Sequence, residues 1–138
     1  MERKRKIIAV SGGFDPIHVG HVRMIQAAAA HGDVVVIANS DEWLDRKKGY
    51  TFMPFDERAE IISALQGVVA VVKAEDDDGT VCTTLRDLKP DIFANGGDRK
   101  PGNTPEGDVC TDLGIAMMWN VGGEKIQSSS WLVTGAKK

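Results

Sequence analysis

Two histidines stand three residues apart near the start of the chain, in the segment His18-Val-Gly-His21. The sequence has only three histidines, so this pair is a distinctive chemical feature. It follows a short β-branched run, Ile7–Val10, and opens a segment with helical periodicity. Residues three apart at a helix start share one face, so both imidazoles should point toward the end of the preceding strand. Imidazole N–H groups at that place could hold a phosphate and stabilise charge that grows on phosphorus in a transition state.

The predicted backbone around the pair also suits an anion. The N-terminus of an α-helix presents unpaired N–H groups and a partial positive charge, and both attract phosphate. Gly12 and Gly13 should allow either a positive φ or a close backbone approach after the strand. The sequence has no GxGxxG, GxxxxGK[ST] or GxSxG motif. Zinc held by the two histidines and a carboxylate is a minor alternative because no cysteine lies nearby, and we assign no metal ligand.

Composition limits the class of protein. The 138 residues carry 17 basic and 20 acidic side chains, a net charge of −3, whereas nucleic-acid-binding domains are usually strongly basic. No apolar run approaches the roughly 20 residues of a membrane span, and two cysteines are too few for a disulfide framework. We expect a single domain over residues 1–138, located in the cytoplasm, that binds neither nucleic acid nor membrane.

Short apolar runs alternate with helical segments along the chain. Such runs are typical of strands buried on both faces of a parallel sheet. The alternation predicts an α/β fold, a single doubly wound, Rossmann-like domain with a five-stranded, mostly parallel sheet. The predicted strands are Ile7–Val10, Val34–Ala38, Val68–Val72, Asp91–Asn95 and Ile115–Trp119. The predicted helices are Val19–His31, Phe55–Leu65 and Thr80–Leu88, a weak one before the fifth strand, and a capped start at Ser128–Ser130.

The loops that follow the strands should converge at one edge of the sheet, where ligands bind in such folds. Residues 39–54 are polar, and residues 96–107 are rich in glycine, proline and polar side chains, so both are predicted to be loops. The acidic run Glu75–Asp78 is predicted to be the solvated start of the following helix.

The segment Gly13–His21 resembles the signature of the HxGH nucleotidyltransferases, a superfamily that includes cytidylyltransferases and heptose-phosphate adenylyltransferases. Four later segments are similar to further motifs of that superfamily, in the same order, and together they span nearly the whole chain. These segments are Asn39–Glu42, Lys47–Gly49 with Pro54 and Asp56–Arg58, Asp91–Asp98, and Ile126–Ser130.

The resemblance implies nucleotidyl transfer, in which an acceptor phosphate attacks the α-phosphorus of CTP or ATP and pyrophosphate leaves. It implies that His18 and His21 hold the triphosphate and stabilise the transition state, and that Lys48 reaches the phosphates from a mobile loop. Mg²⁺ is the implied cofactor, bound mostly through phosphate oxygens and water. The implied partners are a nucleoside triphosphate and a phosphorylated small alcohol or sugar. A homodimer is expected from the resemblance alone.

The other candidate residues lie in or beside these motifs. Arg58 is placed with the catalytic residues because it opens a predicted helix beside the site; a surface contact within that helix is the alternative. Asp15 is predicted to be structural. The serines near the C-terminus could bind phosphate, cap a helix, or do both. The predicted nucleotide-binding residues are Gly12, Gly13, Phe14, His18, His21, Asn95, Gly97, Asp98, Ser128, Ser129 and Ser130.

The sequence leaves the base and the acceptor open. The segments around Lys48 and Arg58 slightly favour cytidylyl transfer, whereas Asn95–Asp98 is more similar to the heptose-phosphate adenylyltransferases. Many members of the superfamily have threonine where this chain has Gly13, so the acceptor phosphate needs another partner. A non-catalytic nucleotide sensor on the same fold is the second hypothesis, although it would need neither imidazole. A flavodoxin-like redox protein is disfavoured because the first loop lacks a Ser/Thr-rich phosphate cradle.

Overall fold

A computed structural model describes residues 5–95, 105–118 and 121. Over these residues each strand but the last is followed by one or two helices. In chain order the elements are β1 (Ile7–Gly12), α1 (Val19–Ala29), β2 (Asp33–Ala38), α2 (Asp41–Lys48), α3 (Phe55–Ser63), β3 (Val68–Lys73), α4 (Cys82–Leu88), β4 (Ile92–Ala94), α5 (Pro105–Leu113) and β5 (Ala116–Met118). Five strands form one sheet in the order β3-β2-β1-β4-β5, and every neighbouring pair is parallel. The predicted α/β, Rossmann-like fold is confirmed.

The central strand β1 is fixed between two apolar layers. Its side chains alternate between faces, so Ile8 and Val10 pack with Ile25 of α1, while Ala9 packs with Leu85 of α4. All five side chains have no exposed surface. Burying one large aliphatic side chain contributes about 1.5–3 kcal/mol. The end of β1, from which the histidine segment departs, is therefore held firmly.

Residues 39–54, predicted to be a loop, contain the helix α2. Leu44 is its only buried side chain, so the helix lacks the apolar stripe on which the prediction depended. Its ends are well defined instead: Ser40 Oγ accepts a hydrogen bond from Trp43 N at 3.1 Å, and Gly49 ends the helix with a φ of 84°. The first turn is acidic and the last turn is basic, which complements the helix dipole. The loop prediction was wrong because caps and charges define this helix.

Two other expectations change at the margins of the sheet. β3 is the edge strand, and Val69 in it is 58% exposed, whereas the sequence pattern predicted burial on both faces. A run of valines does not distinguish an edge strand from a central one. α5 begins at Pro105, inside the predicted loop 96–107.

No helix in the described ranges is long and apolar enough to cross a lipid bilayer.

Candidate active site

The carboxyl ends of the parallel strands bring separate loops together. Gly12 at the end of β1 pairs with Ala38 of β2, and Ala38 pairs with Lys73 of β3. On the other side of β1, Ala94 of β4 pairs with Met118 of β5. The residues that follow these positions therefore share one edge of the sheet, which is the usual ligand-binding edge of this fold.

His18 and His21 lie in the first turn of α1 and cap the helix with their own rings. The backbone N–H of Gly20 donates to His18 Nδ1, and the backbone N–H of His18 donates to His21 Nδ1, both at 3.1 Å. The rings stack with centroids 3.8 Å apart and planes 21° from parallel. The structure thus brings the two predicted imidazoles together. The backbone N–H of Gly20, which the sequence suggested would be unpaired at the helix end, is bonded to the His18 ring.

These hydrogen bonds set the protonation of the two rings. Each Nδ1 accepts a hydrogen bond, so the proton of the neutral ring is assigned to Nε2. Burial lowers the pKa of His21 to about 3, and the charge of nearby His18 acts in the same direction. His21 is therefore neutral near pH 7. At Nε2 it offers an N–H donor to an anion without carrying a full charge itself.

Phe14 supports His21 from the protein interior. Its ring is only 1% exposed and meets the His21 ring edge-on, with centroids 4.7 Å apart and an interplanar angle of 63°. The side chain therefore does not face a ligand, in contrast to its predicted nucleotide-binding role. Phe14 also has the positive φ of this turn, 53°, which was expected at the glycines.

Gly12 and Gly13 make room for the protein's own side chains. A Cβ on Gly12 would lie 3.2 Å from the Phe14 ring, and one on Gly13 would lie 3.1 Å from Leu44 Cδ2. The groups that lie close to these glycines are therefore the buried side chains of Phe14 and Leu44, whereas the sequence suggested a bound ligand. The lack of a Cβ on Gly12 lets the Phe14 ring fold back beneath the turn.

Asp15, predicted to be structural, ties the first loop to the segment after α2. Its carboxylate is 1% exposed and accepts hydrogen bonds from the backbone N–H groups of Phe52, at 2.8 Å, and Met53. Lys48 Nζ lies 2.8 Å from the same carboxylate and 2.6 Å from the Asp15 carbonyl oxygen. Lys48 is thus held in the last turn of α2 beside the first loop, not in the loop that was expected. Its ammonium remains near the histidine turn through Asp15.

Arg58 is fully buried and joins four segments. Its Nε donates to the Met53 carbonyl at 2.9 Å, and its Nη1 donates to the carbonyls of Gly13 and Asn39, both at 2.8 Å. Its Nη2 lies 2.6 Å from Asp41 Oδ1. A guanidinium with no exposed surface does not touch substrate, so the structure replaces the predicted catalytic role by a positioning role.

Asp76 forms a second buried link that the sequence analysis missed. Its carboxylate, 2% exposed, accepts hydrogen bonds from Asn39 Nδ2, Ser40 N and Ser40 Oγ at 3.0, 2.9 and 2.6 Å. It therefore holds the start of α2 against the end of β3. The run Glu75–Asp78 gave no signal for this residue, because acidic runs before helices are usually solvated.

The remaining predicted residues lie near or beyond the end of β4. Asn95 is 5% exposed, and its side-chain amide donates to the Met118 carbonyl at 3.3 Å, which links the ends of β4 and β5. The other predicted nucleotide-binding residues lie outside the described residues: Gly97, Asp98, Ser128, Ser129 and Ser130. Their roles stay predictions.

The buried acidic side chains of the described site are bonded to other groups of the protein. Among residues 5–95, 105–118 and 121, no group of three or more His, Cys, Asp or Glu side chains could hold a metal ion. Asp15, the nearest carboxylate in sequence to the histidines, already accepts two backbone N–H groups and pairs with Lys48. These residues do not form a protein-only metal site.

Comparison with known proteins agrees with this geometry. A family model described as "Cytidylyltransferase-like" matches residues 9–105, which run from within β1 through β4 and include both histidines. The chain is similar to the bifunctional protein HldE of Gluconobacter oxydans, with 38% identity over 112 residues, 79% of the chain and 23% of the relative. For HldE of Yersinia enterocolitica the identity is 35% over 126 residues, 89% of the chain and 24% of the relative. The chain thus spans about a quarter of the length of these relatives.

A solved structure supports the fold independently. The lipopolysaccharide core biosynthesis protein from Thermoplasma volcanium superposes with a TM-score of 0.70 at 24% sequence identity. The match covers 83% of this chain and 93% of the other. With the family model covering most of the described sheet and the paired histidines standing at its ligand-binding edge, the chain belongs to the cytidylyltransferase-like family of nucleotidyltransferase domains.

Proposed function

We propose that this protein transfers a nucleotidyl group from ATP or CTP to a phosphorylated sugar and releases pyrophosphate. The observation that carries the proposal is the stacked pair of imidazoles in the first turn of α1, with Nδ1 of each ring bonded to backbone N–H. This arrangement assigns the proton of each neutral ring to Nε2. Two such donors at the end of β1 suit the oxygens of an α-phosphate.

In the proposed reaction an oxygen of the acceptor phosphate forms a bond to the α-phosphorus. The bond between that phosphorus and the bridging oxygen of pyrophosphate breaks, and pyrophosphate leaves with the electron pair. Neither imidazole needs to gain or lose a proton, which fits the low pKa of His21. The rings instead donate hydrogen bonds to oxygens that gain charge in the transition state, and positioning supplies much of the rate.

Mg²⁺ enters the proposal as part of the nucleotide substrate. Since the described residues offer no three-ligand metal site, the ion would be bound through phosphate oxygens and water. It would neutralise charge on the triphosphate.

The donor and acceptor are proposed from similarity. Relatives named HldE favour ATP and a heptose phosphate, and Asn95–Asp98 also resembles that branch. The segments around Lys48 and Arg58 keep CTP as the second donor. A pyrophosphate-release screen that crosses both triphosphates with phosphorylated sugars and alcohols distinguishes these pairs. Pyrophosphate release in the absence of an acceptor would contradict the proposed transfer. The absence of pyrophosphate release with every pair of triphosphate and acceptor would contradict it too.

The catalytic role of the histidines has a test that separates chemistry from helix capping. In His18→Asn and His21→Asn, the side-chain oxygen can replace Nδ1 as acceptor, so the cap is kept, while the Nε2 donor is lost. We expect kcat to fall by about 100-fold or more, the usual effect of removing one charge-stabilising donor. His31→Asn is the matched control, because His31 is exposed and lies beyond the C-terminal end of α1. Normal pyrophosphate release in both site variants, with triphosphate still raising the melting temperature, would support the nucleotide-sensor hypothesis instead.

A further inference from the structure

Exposed apolar side chains gather around the loop that leads to the histidines. In the described residues, the large apolar side chains with the greatest exposure are Val19 (47%), Tyr50 (39%), Phe52 (54%), Ile61 (39%), Val69 (58%) and Leu113 (40%). Three of these six adjoin the histidine turn: Val19 follows His18 directly, and the segment of Tyr50 and Phe52 is bonded to Asp15. Isolated exposed apolar residues are ordinary, but two aromatic rings in one segment beside a site are not.

The backbone that presents these two rings is fixed. Phe52 N donates to Asp15 Oδ2 at 2.8 Å, and Asp15 is buried. Between the rings, Thr51 Oγ1 lies 2.7 Å from Asp45 Oδ1 and 3.2 Å from the Asp41 carbonyl oxygen, both in α2. The exposure of the rings is therefore a feature of an anchored segment. Rigid aromatic side chains on an anchored backbone lose little entropy when they bind a ligand.

A cation lies next to the aromatic rings. Lys48 Nζ is 4.9 Å from the centroid of the Tyr50 ring and 2.8 Å from Asp15 Oδ2. Lys48 thus places a cation between the Tyr50 ring and the first loop, with Asp15 as its counter-charge, whereas Lys47 Nζ lies 4.8 Å from the centroid of the Trp43 ring. A ligand that fits both features has a phosphate and an apolar face. A cyclic sugar phosphate has both, since one face of a pyranose presents C–H groups that pack on aromatic rings.

We propose that Tyr50 and Phe52 form the acceptor-binding wall of the site and select a cyclic sugar phosphate over an open-chain alcohol phosphate. The inference rests on the proposed function and specifies its acceptor. The sugar ring packs against the aromatic rings, and its phosphate is directed along the Lys48 side toward the histidines. The triphosphate does not use this wall.

Steady-state pyrophosphate release by the full chain tests the wall. Phe52→Ala and Tyr50→Ala should each raise KM for an aldose 1-phosphate by about five- to tenfold, the usual effect of losing one aromatic contact. KM for the triphosphate should stay within twofold, and KM for glycerol 3-phosphate should rise less than that for the aldose 1-phosphate because glycerol 3-phosphate has no sugar ring to pack on the wall. Phe52→Trp should keep the wild-type KM because an aromatic face remains. Ile61 on α3 is as exposed as Tyr50, so Ile61→Ala is the control and should change none of these values.

Two outcomes would overturn the inference while leaving the proposed function intact: an unchanged sugar-phosphate KM in both alanine variants, or a raised KM for the triphosphate. A preference of the wild type for glycerol 3-phosphate would overturn the inference and the proposed sugar acceptor together, although nucleotidyl transfer itself would stand. No pyrophosphate release by the wild type with any triphosphate and phosphorylated acceptor would overturn the proposed function, and the acceptor wall with it. Melting curves of each variant establish that a changed KM is measured on folded protein.

Discussion

The histidine pair and the buried charge network beneath it use their polar atoms in opposite ways. Each imidazole accepts a backbone N–H at Nδ1 in the helix cap, which assigns the proton of the neutral ring to Nε2. Arg58 and Asp15 give their polar atoms to backbone groups and to neighbouring side chains inside the protein. The difference assigns chemistry to the first region and placement to the second. Changes in the network should therefore affect the free energy of unfolding, whereas conservative changes in the pair should affect turnover.

Arg58→Met should give the largest loss of stability. The substitution leaves the carbonyls of Gly13, Asn39 and Met53 without the donor that the fully buried Arg58 supplies. It also removes the ion-pair partner of Asp41, whose side chain is 37% exposed and can be solvated. Each buried hydrogen-bond acceptor left unsatisfied costs about 1–3 kcal/mol of the free energy of unfolding, so we expect a loss of about 3 kcal/mol or more. Urea denaturation measures it. The exposed Arg23 provides the control, since Arg23→Met should change stability by less than about 0.5 kcal/mol.

The same experiment also tests whether Arg58 contacts the substrate. If Arg58→Met unfolds at the wild-type urea concentration but loses turnover, Arg58 acts on the substrate and the positioning role is wrong. If stability falls and the remaining folded protein still turns over, the role of Arg58 is placement alone.

Asp15→Asn should have a smaller effect on stability. An amide keeps one acceptor oxygen, but its NH₂ group then faces a backbone N–H of the segment Phe52–Met53, and the ion pair with Lys48 is lost. We expect a loss of about 2 kcal/mol, within the range for leaving buried polar groups unsatisfied. Thermal or urea unfolding measures it, with the exposed Asp112→Asn as control.

A double variant sharpens the interpretation of Asp15. Lys48→Met alone removes the cation, and Asp15→Asn with Lys48→Met should cost less than the sum of the two single changes because they share one contact. Additive losses would mean that the ion pair contributes nothing and that Asp15 acts only through the two backbone groups.

The sequence predicted the histidine pair and the sheet because each has a local signal. His18 and His21 are uncommon residues at helical spacing after a glycine turn, and five apolar runs define the strands. α2 was missed because its signals are a serine cap and end charges, not apolar periodicity. The burial of Arg58 had no local signal at all, since its partners are carbonyls from three separate segments that only the tertiary fold brings together. Asp76 was missed because it lies in an acidic run and its partners, Asn39 and Ser40, are distant in sequence.

His21 should make the free energy of unfolding depend on pH. His21 has a pKa of about 3 in the folded protein, against an ordinary value of 6.5 in the unfolded chain. Between these values only the unfolded chain binds the proton, so the free energy of unfolding falls as pH is lowered from about 6.5 toward 3. One group contributes at most about 1.4 kcal/mol per pH unit. His21→Asn keeps a cap acceptor and removes the titrating ring, so its stability should decline less steeply over that range than that of the wild type. Urea denaturation at pH 7, 6 and 5 measures the free energy of unfolding of both proteins. If it falls equally with pH in the wild type and in His21→Asn, His21 takes up its proton equally well in the folded and unfolded states. The neutral donor would then be lost on mild acidification, and transition-state stabilisation by His21 would have to come from a charged ring.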